Sequence, residues 1–430
     1  MFLQRRKISF SIATLLVFIV PCNKQSFAAH TDIAGILDFR LHTTQGIESY
    51  LSGSWGKFRY DNGTGISLAQ ATLDINTDWT EHWSTHWVLN GYYQENTQGL
   101  GLNEGYIRYI SLPTENGLRT TFNAGIHYPN ISMNNQGIGW QSPQTLSFSA
   151  INSWIGSEVR HIGFSIDLEW LGKFRNQPYD WGLGLEIFNH NDTTGAVLAW
   201  HGWNISSYQT PWQDSIPLPP MQTRAPGEIL ENQAPATDPF KEIDYRVGYH
   251  FIGQWKYKKN YHVKLGHYDN RALPYIVKYG HYAWHTRFTH VGFQSRPSRH
   301  WQWVLQALWG DTLMQSPQRF DVVNNTFSSA FLLGSYRWLK HLFSARLDIF
   351  DVDDRDNTFG DNNNEQGYAV TINSQYRFSK QWRFHIEYNH ISSKKPVREI
   401  YTGKIKEREN QWQIAFQYFF EHSFNNDKYR

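Results

Sequence analysis

The sequence predicts an all-β fold: a single transmembrane antiparallel up-and-down β-barrel of about 18 strands, with 16 also possible. Three observations support this prediction. Segments along the whole chain alternate apolar with polar residues, as strands with one apolar face do. Aromatic residues form 16% of the chain although its mean hydropathy is only -0.58, which suits a wall whose every second residue meets lipid. Tight turns alternate with long polar loops, which predicts a barrel with short turns at one end and long loops at the other.

The last predicted strand, residues 411–420, shows the alternation most clearly. One face carries Trp412, Ile414, Phe416, Tyr418 and Phe420. The other face carries Gln411, Gln413, Ala415 and Gln417. The aromatic face is typical of a strand that meets hydrocarbon, and the glutamine face is typical of one that meets water.

The N-terminus has the three parts of a secretory signal peptide. Arg5, Arg6 and Lys7 precede an apolar run over residues 8–20, and a small-x-small site ends at Ala28. We therefore expect a signal peptide over residues 1–28, a barrel over 29–420 and a short periplasmic tail over 421–430. Cys22 leaves a lipoprotein alternative open, although a proline precedes it where a small residue is expected. Such a chain would lie in the outer membrane of a Gram-negative bacterium.

The predicted strands follow one another without a helical period between them. They are residues 33–42, 68–79, 83–93, 105–110, 118–128, 145–149, 162–170, 181–188, 196–203, 245–257, 261–268, 282–293, 301–309, 332–338, 343–349, 368–378, 382–390 and 411–420. The weakly patterned segment 145–149 is included because all tight turns must lie at one end of the barrel. We expect the long loops 43–66, 204–242, 311–326, 352–366 and 392–410 to be external, with the tight turns in the periplasm.

The polar faces of these strands supply candidate pore-lining residues. They are Arg40, Asp74, Asp167, Glu169, Arg246, Lys264, Arg287, Arg346, Asp348, Arg377, Arg383 and Glu387. Charged groups around a narrow aqueous pore act through the local field, and an excess of cations favours anions. The alternative is that these residues are solvated lumen groups without tuned selectivity.

The segment from residue 125 to residue 160 breaks the alternation and is too long for a turn. It could fold inward and narrow the pore. Its candidate constriction residues are Asn134, Asn135, Trp140, Glu158 and Arg160. The alternative is an external loop followed by one weak strand.

Other groupings of polar residues indicate no chemistry. Asp269, Arg271 and Arg287 could form a charge ladder across neighbouring strands, which would brace the wall. The chain carries 19 histidines, but no ligand spacing marks a metal site, so we expect no metal and no other cofactor. No nucleophile elbow or triad spacing is present, so we expect no enzyme. The net charge of +2 gives no reason to expect nucleic-acid binding.

One stretch resembles a known family. Residues 102–135 contain Gly125, Tyr128, Pro129, Ile131, Ser132 and Asn134 at places that are similar to those of the phosphate-selective porins of the O/P type. The signal peptide, the alternating strands and the aromatic closing strand resemble Gram-negative outer-membrane porins in general. The resemblance implies a channel, but the loops hold no lysine cluster of the kind that binds phosphate.

We therefore expect a porin for passive diffusion of small hydrophilic solutes, with a weak preference for anions. The alternatives are a saccharide-specific channel and a non-conducting barrel that binds glycan or a partner through its external loops. The expected partners are the lipid bilayer, the solutes or ions, and the barrel-assembly machinery through the strand that ends at Phe420. A homotrimer is possible.

Overall fold

The computed structural model describes residues 29–94, 97–212 and 214–425. These residues form a closed antiparallel barrel of 16 strands in which each strand pairs with its neighbours in the chain. The last strand pairs with the first along the whole length of the first, from His30 opposite Asn425 to Gln45 opposite Asn410, and closes the barrel. The predicted fold class is confirmed, with the smaller of the two strand counts. The predicted signal peptide, residues 1–28, lies outside the described residues.

The barrel strands are labelled in chain order. They are β1 His30–Gln45, β2 Gly63–Asp78, β3 Trp83–Gln94, β4 Thr97–Ile110, β5 Leu118–His127, β6 His161–Trp170, β7 Tyr179–Asn189, β8 Gly248–Tyr257, β9 Tyr261–Asp269, β10 His285–Ser295, β11 Trp301–Gln315, β12 Asp321–Trp338, β13 His341–Asp354, β14 Glu365–Arg377, β15 Trp382–Lys394 and β16 Lys406–Asn425. β16 continues five residues beyond Phe420, so the expected tail begins inside this strand.

Two predicted strands are wrong, and they account for the difference between 18 and 16. Residues 145–149 form no strand, and residues 196–203 contain a helix, α2, which spans Ala196–His201. Every side chain of that helix is buried, so its apolar residues carry no alternation that could distinguish a strand from a buried helix. Two further helices are α1, Ala150–Glu158, and α3, Arg398–Thr402. Among the described residues, no helix is both long and apolar enough for a membrane span.

The two ends of the barrel differ as predicted. The turn end carries the tight connections, such as residues 79–82 between β2 and β3. The loop end carries the long connections, of which the largest is residues 190–247 between β7 and β8. That connection includes a two-residue ladder of Ile216–Pro217 with Ala236–Thr237. Residues 311–326 are largely strand, so the long loop expected there is reduced to residues 316–320.

Three connections at the loop end, residues 46–62, 128–160 and 190–247, place part or all of their length inside the barrel, and we call them the inserted segments. Residues 204–242 were expected outside the barrel, and this prediction is wrong for their first part. Asn204 to Thr210 are buried. The inner-wall residue Arg40 donates a hydrogen bond to Ser207 Oγ at 3.1 Å.

The barrel wall carries apolar side chains on its outer face and polar side chains on its inner face. On β13, the outward residues Phe343, Leu347 and Ile349 are exposed apolar side chains, whereas the inward residues Arg346 and Asp348 are buried charges. The same alternation runs through β15 and β16. A water-soluble protein places these classes the other way round. The outer face therefore suits hydrocarbon, and the inner face suits polar contents.

The seam between β1 and β16 depends on one glycine. Gly35 lies directly opposite Phe420 in the register, and the ring of Phe420 occupies the space that a Cβ at Gly35 would need. We expect Gly35→Val to displace this ring and to destabilise the barrel by about 1–3 kcal/mol. The measurement is the temperature at which the folded barrel loses its compact migration in detergent gels.

The matched control for the seam is Gly253→Val. Gly253 lies on the outer face of β8, and a Cβ at this position would have its nearest neighbouring atom 3.9 Å away. This substitution should leave the transition temperature nearly unchanged. Equal effects of the two valines would show that the seam has no special packing requirement.

Candidate functional site

The loop half of the lumen is filled by the inserted segments rather than by open water. Helix α1 is buried on all sides and packs on an apolar part of the inner wall. The Trp154 ring lies 5.3 Å from the ring centroids of both Phe288 on β10 and Phe327 on β12. An apolar inner wall is unusual for a water-filled pore, and here it is covered by the helix.

Arg346 and Asp348 fix the start of α1 to β13. Asp348 Oδ1 accepts a hydrogen bond of 3.0 Å from the backbone N–H of Ala150, the first residue of the helix. A carboxylate at this position satisfies a free N–H group and is favoured by the helix dipole. Arg346 pairs with Asp348 at 2.7 Å and donates to the carbonyl oxygens of Ser147 and Phe148, both at 2.8 Å.

Glu387 on β15 holds the residues just before the helix. Its carboxylate accepts hydrogen bonds from the backbone N–H groups of Leu146 at 2.6 Å and Ser147 at 2.9 Å. Arg346, Asp348 and Glu387 therefore lie on the inner wall, where the sequence predicted them. Their partners are main-chain groups of an inserted segment, so these charges do not face an open pore.

Glu158 joins two inserted segments. It is the last residue of α1, and its carboxylate accepts hydrogen bonds from the N–H groups of Val197 at 2.8 Å and of Gly195 and Leu198 at 3.3 Å. These groups form the N-terminus of α2. Trp154 Nε1 also donates to it at 2.7 Å. Burial raises the pKa of the Glu158 carboxyl to about 7, although these donors act in the opposite direction.

The other candidate constriction residues also lie inside the barrel. Arg160 is fully buried, donates to Tyr128 Oη at 2.7 Å and lies 4.6 Å from the ring centroid of Phe240. Trp140 stacks on Tyr128 with ring centroids 4.2 Å apart. Asn134 and Asn135 are buried; they donate to Ser142 Oγ and to the carbonyl of Trp140, respectively. Residues 128–160 thus occupy part of the lumen.

A further buried ion pair ties the remaining inserted segments to the wall. Glu365 on β14 pairs with Lys57 Nζ at 2.5 Å and accepts a hydrogen bond from the N–H of Trp203 at 2.9 Å. Lys57 belongs to the segment 46–62, and Trp203 belongs to the segment 190–247. Sequence reasoning did not single out Glu365 or Lys57, because neither belongs to a predicted strand face.

Below the inserted segments, a cavity of about 290 Å³ remains between β4 and β9. Charged side chains of both signs line it: Glu104, Arg108, Asp167, Glu186 and Lys264. Lys264 is buried and donates to Asn130 Oδ1 at 2.6 Å, so the inserted segment also forms part of the lining. Asp167, one of the candidate pore-lining residues, also lines this cavity.

The remaining candidate pore-lining residues lie at various depths. Arg40 is buried on β1 and pairs with Asp38 at 2.6 Å. Asp74 lies 3.5 Å from His86 Nδ1. Glu169 pairs with Arg119 and, at 3.2 Å, with Lys256. Arg246 precedes β8 and does not belong to a strand.

The prediction that Arg287 faces the lumen is wrong. It is exposed on the outer face of β10, between the buried inward residues Thr286 and Phe288. Arg287 Nε lies 3.0 Å from Asp311 Oδ2 on β11, and Asp269 stands opposite it on β9. The expected ladder of Asp269, Arg271 and Arg287 is not the one that forms: Arg287 pairs with Asp311 on the outer face, and Asp269 pairs with His285 at 3.1 Å. Arg287 faces outward because the inward positions beside it are taken by Thr286 and by Phe288, which packs on α1.

Arg377 and Arg383 form a cationic site at the turn end. They are direct neighbours in the register of β14 and β15. Neither has a carboxylate within ion-pair distance among the described residues, and Arg383 lies 3.8 Å from the ring centroid of Phe419. Like charges opposite each other destabilise a sheet, so this pair is not explained by stability.

No family model matches this chain, and no curated protein matches it. Several solved structures, however, are similar to this chain. The outer membrane channel DcaP of Acinetobacter baumannii is similar over 93% of this chain and 100% of that chain, with a TM-score of 0.57 and 11% identity.

Two further solved structures are similar over most of their length. The anion-selective porin from Comamonas acidovorans aligns over 91% of this chain and 100% of that chain, with a TM-score of 0.48 and 11% identity. OmpF of Salmonella typhi, in complex with daunomycin, aligns over 91% and 97%, with a TM-score of 0.49 and 10% identity. At 11% identity the comparison with DcaP establishes the fold alone, a closed antiparallel β-barrel.

The anchor formed by Glu387 gives a direct prediction. We expect Glu387→Gln to speed hydrogen exchange at the amides of Leu146 and Ser147 about 10- to 100-fold, because hydrogen bonds to a charged group contribute about 1.5–3 kcal/mol. Exchange measured by mass spectrometry on the detergent-folded protein tests this. Glu421→Gln, at an exposed position of β16, is the control and should change nothing. Unaltered exchange in the Glu387 variant would refute the anchor.

Proposed function

We propose that this protein is an outer-membrane channel that passes small hydrophilic solutes by passive diffusion. The observation that carries the proposal is the inverted wall, with apolar side chains outside and buried polar and charged side chains inside a closed barrel. Such a wall is stable with lipid hydrocarbon around it and with water or polar protein groups inside it. The tight turns then face the periplasm, and the long connections face the exterior.

The inserted segments make the proposed passage narrow. Asp348 and Glu387 hold residues 128–160 across the loop half of the lumen, and the cavity of about 290 Å³ lies on the turn side of this obstruction. A porin with a wide, unobstructed lumen conducts freely, whereas a constricted one selects by size and charge. We therefore propose a channel of low conductance.

The proposed preference for anions rests on two arginines at the turn end of the barrel. Arg377 and Arg383 have no carboxylate partner in the part of the chain that the structure describes, and they lie at the inner face near this mouth. Their field there acts on entering ions. Two other candidate cations do not support the preference, because Arg287 lies outside the barrel and Arg346 is paired with Asp348.

Ion selectivity in planar bilayers tests this assignment. A unit charge about 8 Å from an ion in water contributes about 0.5 kcal/mol, so the double variant Arg377→Glu, Arg383→Glu should lower the anion-to-cation permeability ratio at least about twofold. The readout is the reversal potential in a salt gradient. Arg287→Glu is the matched control, because its charge change lies on the outer face, and it should leave the reversal potential unchanged.

A second candidate is favoured by the filled loop half of the lumen: a non-conducting barrel that binds a glycan or a partner through its loop end. Absence of steady current from the inserted, folded protein would favour this candidate over the channel. A current that an added sugar blocks would instead favour the saccharide-specific channel. The homotrimer, the use of the barrel-assembly machinery and the likeness to phosphate-selective porins stay predictions.

A further inference from the structure

Three neighbouring strands bring potential metal ligands together on the inner wall beside the cavity. His127 ends β5, His161 begins β6, and the two residues are directly opposite each other in the register. Glu186 on β7 completes the group. One ligand atom from each of these three side chains lies within 4.8 Å of the other two, and all three side chains are buried. Sequence spacing does not reveal the group, because the register of three strands assembles it.

The contacts of His127 hold its ring in place and direct one ring nitrogen at Glu186. His127 Nδ1 lies 3.2 Å from the carbonyl oxygen of Gly125. A carbonyl can only accept, so Nδ1 carries the proton. In the neutral ring, Nε2 then presents a lone pair, and it points at the carboxylate oxygen Oε1 of Glu186 at ion-pair distance. A proton on Nε2 satisfies this contact as an ion pair, and a divalent cation between the two atoms would satisfy it as well.

This arrangement is also the one that a metal-bound histidine adopts. A ligating imidazole usually donates its second ring N–H to a carbonyl or carboxylate, which fixes the tautomer and the ring orientation. His161 directs its Nε2 at the same oxygen of Glu186, at 2.7 Å. Its ring is held by stacking on Phe188, with centroids 4.0 Å apart.

The surroundings provide access and further ligands. His127, Glu186 and His250 all line the cavity, so an ion and water can reach the group from the lumen. His250 Nδ1 lies 3.4 Å from Glu186 Oε2, and its Nε2 contacts His290 Nε2 at 2.9 Å. The nearby cations Lys264 and Arg108 oppose a metal ion, whereas Asp167 and Glu104 favour it.

We propose that His127, His161 and Glu186 bind a divalent transition-metal ion of the zinc class, with His250 or water in the fourth position. Two imidazoles and one carboxylate with an open position are an established ligand set for Zn²⁺. With metal–ligand bonds of about 2.0–2.1 Å, tetrahedral ligand atoms stand about 3.3 Å apart. Both Nε2 atoms now lie closer than this to Glu186 Oε1, so binding of the ion requires the carboxylate to move away from the two rings.

A second group of acidic residues does not support a metal site. Asp192, Glu242 and Asp244 lie close together near the loop end. Asp192 Oδ2 already accepts hydrogen bonds from the N–H groups of Ile243 at 2.6 Å and Asp244 at 3.1 Å. Glu242 accepts from the N–H groups of His190 and Tyr245. These bonds explain the group as loop structure.

Metal binding by the folded barrel tests the proposal and does not depend on channel activity. The detergent-purified protein is stripped with a chelator, loaded with Zn²⁺ and dialysed, and the bound metal is counted by mass spectrometry. We expect one Zn²⁺ per chain, and Co²⁺ in its place should show the intense visible absorption of a tetrahedral site. Calorimetric titration then gives the dissociation constant.

Matched variants locate the site. Glu186→Gln should raise the dissociation constant by more than about 100-fold, since even outer partners of a metal site contribute 10- to 100-fold. His127→Gln, which keeps the contact between His161 and Glu186, is used if the first variant fails to fold. His385→Gln is the control, because His385 is a buried inward histidine on β15, which is not adjacent to the site.

Two outcomes would overturn the proposal. The first is a folded wild-type barrel that retains neither Zn²⁺ nor Co²⁺ after dialysis. The second is undiminished binding in Glu186→Gln and His127→Gln, which would assign the metal to another part of the chain. Loss of binding in these variants with normal binding in His385→Gln supports the site, whatever the bilayer recordings show.

Discussion

The structure depends on how the main chain of the inserted segments is satisfied inside a closed barrel. A buried N–H group without a partner costs about as much as a lost hydrogen bond, and a buried charge without a partner costs more. Carboxylates of the inner wall satisfy the buried N–H groups, and these hydrogen bonds in turn satisfy the buried charges. Asp348 and Glu387 accept hydrogen bonds from N–H groups of residues 146–150, and Glu365 accepts one from Trp203. These carboxylates fix the position of the segments, while the apolar packing of α1 on the wall also holds that helix in the lumen.

Such buried charges contribute little to the free energy of folding. Their main effect is to determine the path that the inserted segments take. The desolvation of an ion pair such as Arg346 with Asp348 offsets much of its attraction. The pair is nevertheless specific, because Arg346 also donates to two carbonyl groups and Asp348 caps one helix. A different path of residues 128–160 would remove the hydrogen bonds that these two side chains make to the main chain of the segment. The constriction of the proposed channel is therefore tied to the wall at defined positions.

The lumen is divided along the barrel axis. In the loop half, α1 and its neighbours cover apolar wall residues such as Phe288 and Phe327. Towards the turn end a polar cavity remains, and it is lined by His127 and Glu186, which contact the fully buried His161. The conduction and the metal binding proposed for this protein thus belong to the part of the lumen that the inserted segments leave open.

The sequence by itself determined the barrel, because the alternation of apolar and polar residues along a strand is local and can be recognised without knowledge of tertiary contacts. It predicted the strands on both sides of each tight turn and the inward direction of Arg40, Lys264, Asp348 and Glu387. Only the tertiary structure decided what lies inside. Residues 196–203 are apolar on every side, so a helix buried in the lumen has the same local pattern as a strand. Arg287 faces outward because α1 makes the opposite face apolar. Contacts between distant segments decide these features, and no local pattern records them.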